Sequence, residues 1–363
     1  MTDRVDAGTV STTVPYALTR RGVVMSPDLN DPNEVEGVLN PASGRDAEGR
    51  LWLLPRLVAA GNVSRVGLAE VKVEDGVPVG VRREAVVLEP DAAWERGAHH
   101  SGVEDPRVTW MADLGLHLMT YVAYGPLGPK PALAVSEDLR TWRRLGPFHF
   151  EFQAQLDSDL NLYPNKDLVI FPEPMPGPGG RLSYAVLHRP MWDLDWIAPG
   201  AGTVLPAGLT DDRPAIWISY VSVEDVAKDI SNFAHLSGHR LVALPQFDFE
   251  ALKIGAGPVP IRIPEGWLLI HHGVSGQLIS GFDQQQRVHY RAGAMILSAD
   301  DPAIVLARTS EPLLAPETDD ERSGIVPNVV FPTAIEVIDG RTFVFYGMAD
   351  SKIGVAELTR TSD

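Results

Sequence analysis

The chain has 363 residues and no cysteine, and 31 Lys and Arg against 48 Asp and Glu give it a formal net charge of −17. This charge repels phosphodiester backbones and no Lys/Arg run offsets it, which argues against nucleic acid as a partner. The hydrophobic content of 44% is that of an ordinary globular protein. No apolar run approaches the roughly 20 residues of a membrane span, and the charged N-terminus does not resemble a secretory signal, so we expect a cytoplasmic protein without a membrane segment.

The chain is predicted to consist mostly of short β-strands bounded by Gly, Pro or Asp. In chain order, the clearest mixed aliphatic and aromatic runs cover residues 50–56, 116–124, 182–188 and 267–272. One short helix is predicted within 221–234, where charged residues stand between apolar positions. Segments rich in Pro and Gly at 172–180 and 198–214 are predicted loops. This pattern is typical of an all-β protein.

Two segments resemble each other, which suggests an internal repeat. Residues 133–142 and 295–304 both run from a strand through a Ser-x-Asp turn towards a second strand. Such self-similarity is typical of four-stranded blades around a central axis. A β-sandwich also fits the strand content but rarely extends to this length without splitting. We predict a single β-propeller domain over residues 1–363, with 1–35 as an N-terminal extension that packs on the propeller or on a neighbouring subunit.

Potential metal ligands do not occur at the spacing that a metal site needs. The ten histidines include the pairs His99-His100 and His271-His272, but there is no His-Glu-x-x-His or Cys/His pattern. We therefore predict no metal site. Neighbouring residues on a strand face opposite sides, so one ring of the pair His271-His272 is expected to be buried and hydrogen-bonded.

The sharpest local motif is Gly102-Val-Glu-Asp-Pro-Arg-Val-Thr109, in which two carboxylates precede a Pro-Arg step and a strand. By itself the motif also fits a turn in which Arg107 neutralises Asp105. Cleavage of a glycosidic bond requires a proton for the leaving oxygen, and a partly desolvated carboxyl beside another carboxyl can hold one near neutral pH. Asp105, next to Glu104, fits that role.

Five further segments accompany this motif along the chain. In order they are Asn165-Lys-Asp-Leu-Val-Ile-Phe-Pro-Glu173, Lys253-Ile-Gly-Ala-Gly-Pro-Val-Pro260, Gly266-Trp-Leu-Leu-Ile-His-His-Gly-Val274, Pro327-Asn-Val-Val-Phe-Pro332 and Tyr346-Gly-Met-Ala-Asp350. Their order and spacing resemble glycoside hydrolase family 130, the β-mannoside phosphorylases and β-1,2-mannosidases, from about Asn40 to Ala356. The resemblance implies a five-bladed β-propeller with the active site in its axial depression. It also implies that Asp105 is the general acid and acts through a mannose hydroxyl.

The resemblance implies two sets of binding residues. Family phosphorylases hold phosphate with basic and amide side chains, and the positions that match here are Arg56, Asn165, Lys253 and His272. The positions that match mannoside-binding residues are Asn40, Glu104, Arg107, Asp167, His188 and Asp350. Pro164 stands where the family has an arginine, so one cationic contact to phosphate is missing or is supplied from elsewhere. Without the resemblance, Lys253 and Arg56 would be interpreted as surface residues.

We therefore predict an inverting β-mannoside phosphorylase that releases α-mannose 1-phosphate, with a β-mannoside and inorganic phosphate as partners and no other cofactor. The alternatives are an inverting β-1,2-mannosidase, for which Glu321 is a candidate base, and a sugar-binding propeller without catalysis. Trp192 and Trp196 are candidates to stack on the acceptor sugar, whereas Trp267 is predicted to lie in the core. The linkage, the acceptor and assembly into a homo-oligomer stay open.

Overall fold

The structure is a computed structural model that describes residues 10–97, 99–194, 200, 203–278 and 285–361. Strands make up 55% of it and helices 8%, which confirms the all-β prediction. The helical segments of these ranges are α1 (Val223–Lys228), α2 (Asp319–Arg322) and short 3₁₀ turns at Ala154–Leu156, Leu160–Leu162, Pro178–Gly180, Ile230–Ala234 and Asp248–Glu250. Helix α1 and the 3₁₀ turn after it correspond to the helix predicted within 221–234. Within the same ranges, no helix is long and apolar enough to cross a membrane.

The strands form four sheets. In chain order they are β1 (Tyr16–Met25), β2 (Gly37–Arg45), β3 (Leu51–Ala59), β4 (Val63–Glu74), β5 (Val77–Leu88), β6 (Ser101–Met111), β7 (Leu116–Gly125), β8 (Gly128–Ser136), β9 (Arg143–Pro147), β10 (His149–Phe150), β11 (Asn165–Ile170), β12 (Met175–Pro176), β13 (Leu182–Pro190), β14 (Ile216–Ser222), β15 (His235–Ala243), β16 (Lys253–Ala256), β17 (Ile261–Ile263), β18 (Gly266–Gly276), β19 (Val288–Leu297), β20 (Val305–Arg308), β21 (Val330–Ile338), β22 (Arg341–Met348) and β23 (Lys352–Arg360). The sheet orders are β2-β3-β4-β6-β7-β8-β9 with β5 on β4, β10-β15-β14-β13-β11 with β12 on β13, β16-β18-β19-β20 with β17 on β18, and β1-β23-β22-β21.

The largest sheet consists of two antiparallel meanders joined by a short contact. Val63 and Ser64 of β4 pair in parallel with Ser101 and Gly102 of β6, and this pairing joins β2–β5 to β6–β9. Each of the other sheets contains one meander. We number the meanders I (β2–β5), II (β6–β9), III (β11 and β13–β15), IV (β16 and β18–β20) and V (β21–β23 and β1).

Hydrophobic clusters lie between consecutive meanders and close a circle. Successive clusters join I to II, II to III, III to IV and IV to V. A further cluster joins Phe343 and Phe345 of meander V to Val38 and Leu53 of meander I. Burial of apolar surface contributes roughly 25 cal/mol per Å², so each meander is held mainly by its two neighbours. Trp267 lies in the cluster between III and IV, which confirms its predicted place in the core.

The N-terminal strand completes meander V. Strand β1 pairs antiparallel with β23, from Tyr16 opposite Arg360 to Met25 opposite Ile353. Without β1, the unpaired backbone groups of β23 would form an open sheet edge. Strand β1 lies within residues 1–35, which the sequence predicts as an extension that packs on the propeller or on a neighbouring subunit.

Four meanders share a buried glutamate bound to an arginine. In each, a glutamate in the segment before the first strand is at most 1% exposed and pairs with an arginine of the outermost strand. From meander I to meander V, with III omitted, the pairs are Glu34–Arg83 (2.6 Å), Glu95–Arg144 (2.8 Å), Glu250–Arg308 (2.6 Å) and Glu321–Arg20 (2.9 Å). In II, IV and V, a side chain of the second strand also bonds to the carboxylate, from Tyr121, His271 and Tyr346. Each pair joins the segment before the first strand to the outermost strand of the same meander.

Replacement of Arg308 by Met is expected to lower the free energy of unfolding by about 3–5 kcal/mol, because the Glu250 carboxylate stays buried without its cation. Although burial opposes the shift, His271 and Arg308 lower the pKa of Glu250 to about 2. The stabilisation is therefore present above the unfolded value of about 4.3 and is lost as the pH falls towards 2. Arg240→Met, which removes an exposed pair with Asp301, is the control and should cost at most about 1 kcal/mol. Urea denaturation measures the free energy of unfolding of both variants. Equal losses in the two variants would contradict the expectation.

Candidate active site

Strands β2, β6 and β11 each contain a shift in register at an Asn or Asp residue. The residues are Asn40, Asp105 and Asp167, with φ angles of 43°, 48° and 56°. Asn and Asp adopt this left-handed conformation more readily than other residues that have a side chain. Bulges in a strand change the direction of a side chain. The bulges of β2 and β6 bring Asn40 within 2.8 Å of Asp105.

Asp105 is held by an amide and a guanidinium. Its Oδ1 accepts hydrogen bonds from Asn40 Nδ2 (2.8 Å) and Arg56 Nη1 (3.1 Å). Arg56 Nη2 also donates to Glu104 Oε1 (2.9 Å), and Lys166 Nζ lies 3.6 Å from Glu104 Oε2. One buried guanidinium therefore pairs with both carboxylates of the Glu-Asp-Pro-Arg motif.

The pKa of Asp105 differs from the sequence-based expectation. Burial would raise this pKa, but Arg56, Lys166 and the Asn40 amide hold it below its ordinary value. The expectation that Glu104 keeps Asp105 protonated near neutral pH is therefore wrong for this structure, because Arg56 neutralises both groups. Asp105 is a carboxylate here and can accept a hydrogen bond from a sugar hydroxyl.

Asp167 is the centre of a second group. Its Oδ2 accepts a hydrogen bond from Arg189 Nε (2.5 Å) and lies 3.5 Å from His272 Nε2. Gly255 permits this approach, since a Cβ there would lie 2.1 Å from Asp167 Oδ2 and 2.5 Å from a His272 ring carbon. Burial would raise the pKa of Asp167, but Arg189, His272 and Arg107 hold it well below its ordinary value. The Lys-Ile-Gly motif therefore needs glycine at position 255, because any side chain there would clash with Asp167 and His272.

Lys253 is a basic residue without an ion-pair partner in the described ranges. Its Nζ lies 5.3 Å from the ring centroid of Tyr290. Burial lowers the pKa of Lys253 to about 7, and the positive charges of Arg189 and Lys166 act in the same direction. An anion bound beside Lys253 would oppose these effects and favour the charged ammonium. Lys253, Arg189 and Lys166 therefore form a cationic cluster that can accept an anion.

Asp350 is a carboxyl that no cation pairs with in the part of the chain that the structure describes. It follows β22 with a φ of 51°. Burial raises the pKa of Asp350 to about 6; Arg56 lowers it, but the negative charges of Asp105 and Glu104 raise it again. The carboxyl of Asp350 therefore titrates closer to neutral pH than the carboxyl of an ordinary aspartate.

Replacement of Asp350 by Asn is expected to stabilise the protein at pH 7.5 by on the order of 1–3 kcal/mol, since one unit of pKa difference corresponds to about 1.4 kcal/mol. The folded chain disfavours the ionised carboxyl, so the gain should be absent below about pH 4, where both states are protonated, and should grow towards pH 6. Urea denaturation at several pH values measures the effect. Asp75→Asn, in an exposed turn with a φ of 49°, is the control. If Asp350→Asn stabilised the protein as much at pH 4 as at pH 7.5, the explanation would be wrong.

Asn165, His188 and Arg107 are buried beneath this cluster. Asn165 Oδ1 accepts from the backbone N–H of Arg189 (3.0 Å), and its Nδ2 lies 3.0 Å from His188 Nδ1. The other ring nitrogen of His188 lies 2.7 Å from Ser219 Oγ. Arg107 donates to backbone carbonyl oxygens, with one terminal nitrogen unpaired. Both ring nitrogens of His188 are therefore used inside the protein, so the structure does not bring His188 to the sugar as predicted.

The tryptophan predictions have different outcomes. Trp192 is fully buried and packs edge-to-face on Tyr163 and Trp217, with ring centroids 5.1 and 5.9 Å away. The prediction that it stacks on an acceptor sugar is therefore wrong, because it belongs to the core between meanders II and III. Trp196 lies outside the described residues.

Glu321 is not available as a catalytic base. It is fully buried, and its two carboxylate oxygens accept hydrogen bonds from Arg20, Tyr346 and the backbone N–H groups of Glu317 and Thr318. The carboxylate is thus part of the structural pair of meander V, and the suggestion made from the sequence is wrong.

Sequence reasoning missed two cations of the site, Lys166 and Arg189. They lie opposite each other where β11 pairs with β13. Arg189 stands on the strand beside the start of β11, where Pro164 replaces the expected arginine. Its guanidinium supplies a cation from the neighbouring strand. The signal in the sequence is that Arg189 directly follows His188, a residue predicted to bind the mannoside.

A depression with a volume of about 570 Å³ is lined in part by Arg56, Glu104, Lys166 and Asp350. A larger cavity of about 660 Å³ is lined by residues such as Val108, Trp110 and Ile261. The described lining of the larger cavity is mostly apolar and includes none of the predicted site residues. We place the active site in the depression, because the carboxylates and cations converge there.

Carboxylates and amides that lie beside cations in this all-β fold are groups that can bind sugar hydroxyls and an anion, as in a carbohydrate-active enzyme. The family profile described as beta-1,4-mannooligosaccharide phosphorylase matches residues 18–361, and the chain belongs to that family, glycoside hydrolase family 130. Its curated relatives are mannoside phosphorylases, which transfer hexosyl groups.

Some relatives match most of the chain, and others match only a part of it. The 1,2-beta-oligomannan phosphorylase of Thermoanaerobacter sp. (strain X514) is 30% identical over 345 residues, 92% of this chain and 94% of the relative. The beta-1,4-mannooligosaccharide phosphorylase of Ruminococcus albus is 41% identical over 123 residues, 33% of this chain and 35% of the relative. The solved structure of Listeria innocua beta-1,2-mannobiose phosphorylase with beta-1,2-mannobiose superposes with a TM-score of 0.68 at 20% identity, over 95% of this chain and 96% of that one. This last similarity is one of fold.

Proposed function

We propose that the protein is an inverting β-mannoside phosphorylase, in which inorganic phosphate attacks the anomeric carbon of a terminal mannosyl unit and releases α-mannose 1-phosphate. The main observation in support is Lys253, a basic residue without an ion-pair partner in the described ranges, beside Arg189 and His272. In a protein of net charge −17, the basic side chains of Lys253, Arg189 and Lys166 lie close enough to affect each other's charge, and such a group favours an anionic ligand.

The mannosyl unit would lie against the carboxylates of the depression. Asp105, Asp167 and Asp350 can each accept hydrogen bonds from two sugar hydroxyls. Asn40 holds Asp105 through its Nδ2, and Glu104 shares Arg56 with it. The phosphate would bind on the side of Lys253, as required for attack opposite the leaving group.

The proton balance supports a role of Asp105 after phosphate has bound. A bound phosphate dianion offsets the positive charges that lower the pKa of Asp105, so this pKa rises in the complex. The bond from C1 to the acceptor oxygen breaks and a bond from C1 to a phosphate oxygen forms. The acceptor oxygen gains one proton and the attacking phosphate loses one, so no net proton is consumed. We propose that Asp105 passes the proton through a mannose hydroxyl.

We further propose that meanders I to V are the five blades of one propeller that forms a single domain. The circle of hydrophobic clusters and the pairing of β1 with β23 support this arrangement. Inorganic phosphate is the only co-substrate in this proposal, and we also propose that the enzyme is cytoplasmic. The names of the relatives refer to 1,2-linked and to 1,4-linked mannosides. The experiment therefore includes both linkages.

Incubation of the enzyme with β-1,2- and β-1,4-mannobiose, with and without phosphate, tests the proposal. Phosphorus NMR should detect mannose 1-phosphate only when phosphate and one of the mannobiosides are both present. Cleavage at the same rate in phosphate-free buffer, with mannose as the product, would show a hydrolase instead. In that case Asp350, whose pKa is raised to about 6, is the carboxyl to examine as the base. Binding of mannobiose without cleavage would leave only the sugar-binding interpretation.

A further inference from the structure

A chain of buried polar side chains crosses meander III from strand to strand. It runs from Asn165 of β11 through His188 of β13 and Ser219 of β14 to His239 of β15, with successive distances of 3.0, 2.7 and 2.7 Å. It ends at the carbonyl oxygen of Glu151, 2.9 Å from His239 Nε2. All four side chains are at most 3% exposed. In the described ranges, meander III is also the meander without a buried glutamate–arginine pair.

The outer end of the chain sets the directions of its hydrogen bonds. The Glu151 carbonyl oxygen can only accept, so His239 carries its hydrogen on Nε2 and accepts on Nδ1. The only donor near Nδ1 in the chain is the hydroxyl of Ser219. The single hydrogen of that hydroxyl is therefore directed to His239, and Ser219 Oγ must accept from His188.

The inner end of the chain requires the same directions independently. The backbone N–H of Arg189 donates to Asn165 Oδ1, so the amide presents Nδ2 to His188. His188 then accepts on Nδ1 and carries its hydrogen on Nε2, which donates to Ser219. The two ends agree, and every donor of the chain has one acceptor.

We propose that Ser219 and His239 are positioning residues, which lock the side-chain amide of Asn165 in one orientation through His188. If the Asn165 amide turned over, its oxygen would face the acceptor Nδ1 of His188 and its NH₂ would face the N–H of Arg189. Protonation of either histidine would place two donors against each other. Burial lowers the pKa of both His188 and His239, which agrees with neutral rings.

The effect on catalysis rests on the proposed function. Asn165 directly precedes Lys166, and the N–H that it binds belongs to Arg189, whose guanidinium pairs with Asp167. The chain therefore orders the strand ends that present two cations of the phosphate pocket. Asp105 and its partners Asn40 and Arg56 lie on other strands. Loss of the chain should weaken phosphate binding and leave the chemical step nearly unchanged.

The hydrogen positions can be measured on the whole protein without any ligand. Protein labelled with ¹⁵N-histidine, at pH 7.5, should show the Nε2–H tautomer for both His188 and His239, assigned with His188→Gln and His239→Gln variants. A spectrum with Nδ1–H or with a charged ring at either position would overturn the proposal. Because no phosphate is present, this outcome does not depend on the proposed function.

The kinetic effect is tested with Ser219→Ala. The Michaelis constant for phosphate should rise about 2- to 12-fold, the range that corresponds to one neutral hydrogen bond, while kcat changes less than about twofold. Ser183→Ala is the matched control, since Ser183 is a buried serine of β13 whose hydroxyl bonds to the Arg181 carbonyl, 3.0 Å away. An equal effect of the control, or an unchanged phosphate constant in Ser219→Ala, would refute the positioning role. A wild-type enzyme that ignores phosphate but shows the expected tautomers would disprove the proposed function alone.

Discussion

Replacement of Asp105 by Asn is expected to lower turnover at least about 100-fold while the protein stays folded, as for removal of a general acid. The change is nearly isosteric. An amide oxygen at position 105 can still accept the hydrogen bonds that Asn40 and Arg56 donate to the carboxylate. Loss of activity would then report on the missing proton transfer and not on a collapsed site. Phosphate-dependent release of mannose 1-phosphate measures turnover.

Asp113→Asn is the matched control for this variant. Asp113 stands in the turn after the same strand, β6, and accepts a hydrogen bond from Tyr184. Its replacement makes the same chemical change outside the depression and should leave turnover near the wild-type value. If Asp105→Asn kept wild-type turnover, Asp105 would have no part in the mechanism. If Asp113→Asn lost as much turnover as Asp105→Asn, the loss would not be specific to position 105 and would not support the role of Asp105.

Replacement of Lys253 by Ala is expected to raise the Michaelis constant for phosphate about 10- to 150-fold, since a charge-assisted hydrogen bond contributes about 1.5–3 kcal/mol. The constant for the mannoside should change much less, because the carboxylates of the depression belong to other strands. Lys130→Ala is the control: its ammonium donates to the carbonyl oxygens of Asn161 and Tyr163, outside the depression. Equal changes in the phosphate and mannoside constants would show that Lys253 acts only through the structure.

The pH dependence of phosphate affinity gives a second readout for Lys253. The pKa of this lysine is lowered to about 7, so a rise in pH above 7 removes the ammonium and should weaken phosphate binding. The Lys253→Ala variant lacks the titrating group and should show a flatter dependence above pH 7. Calorimetric titration with inorganic phosphate from pH 6 to pH 9 compares the two proteins. Parallel curves would contradict the assignment of the titration to Lys253.

The strands and the carboxylates could be predicted because they depend on local sequence. The runs at 116–124 and 267–272 lie within β7 and β18. Asp105 and Asp167 stand in motifs whose order matches the family, and both occupy bulges of first strands. Turn-forming residues and alternation in hydrophobicity are visible in the chain without knowledge of its long-range contacts.

Charge states and orientations could not be predicted, because they depend on contacts between distant residues. The pKa of Asp105 follows from Arg56, on a different strand. Arg189 on β13 reaches Asp167 on the neighbouring strand β11 and supplies the cation that Pro164 lacks. Trp192 follows a strand that was expected to border the sugar, but packing against its neighbours in the core determines its position.

The pairing of β1 with β23 also has a consequence for synthesis of the chain. Strand β1 is synthesised long before its partner, Lys352–Arg360. At about 5–20 residues per second, β1 waits roughly 20–70 s before β23 exists. During this time its backbone groups are unpaired, and the circle of meanders is open between V and I. Closure is therefore a late event in synthesis of the chain, and a nascent chain halted before residue 352 should be a target for chaperones and proteases.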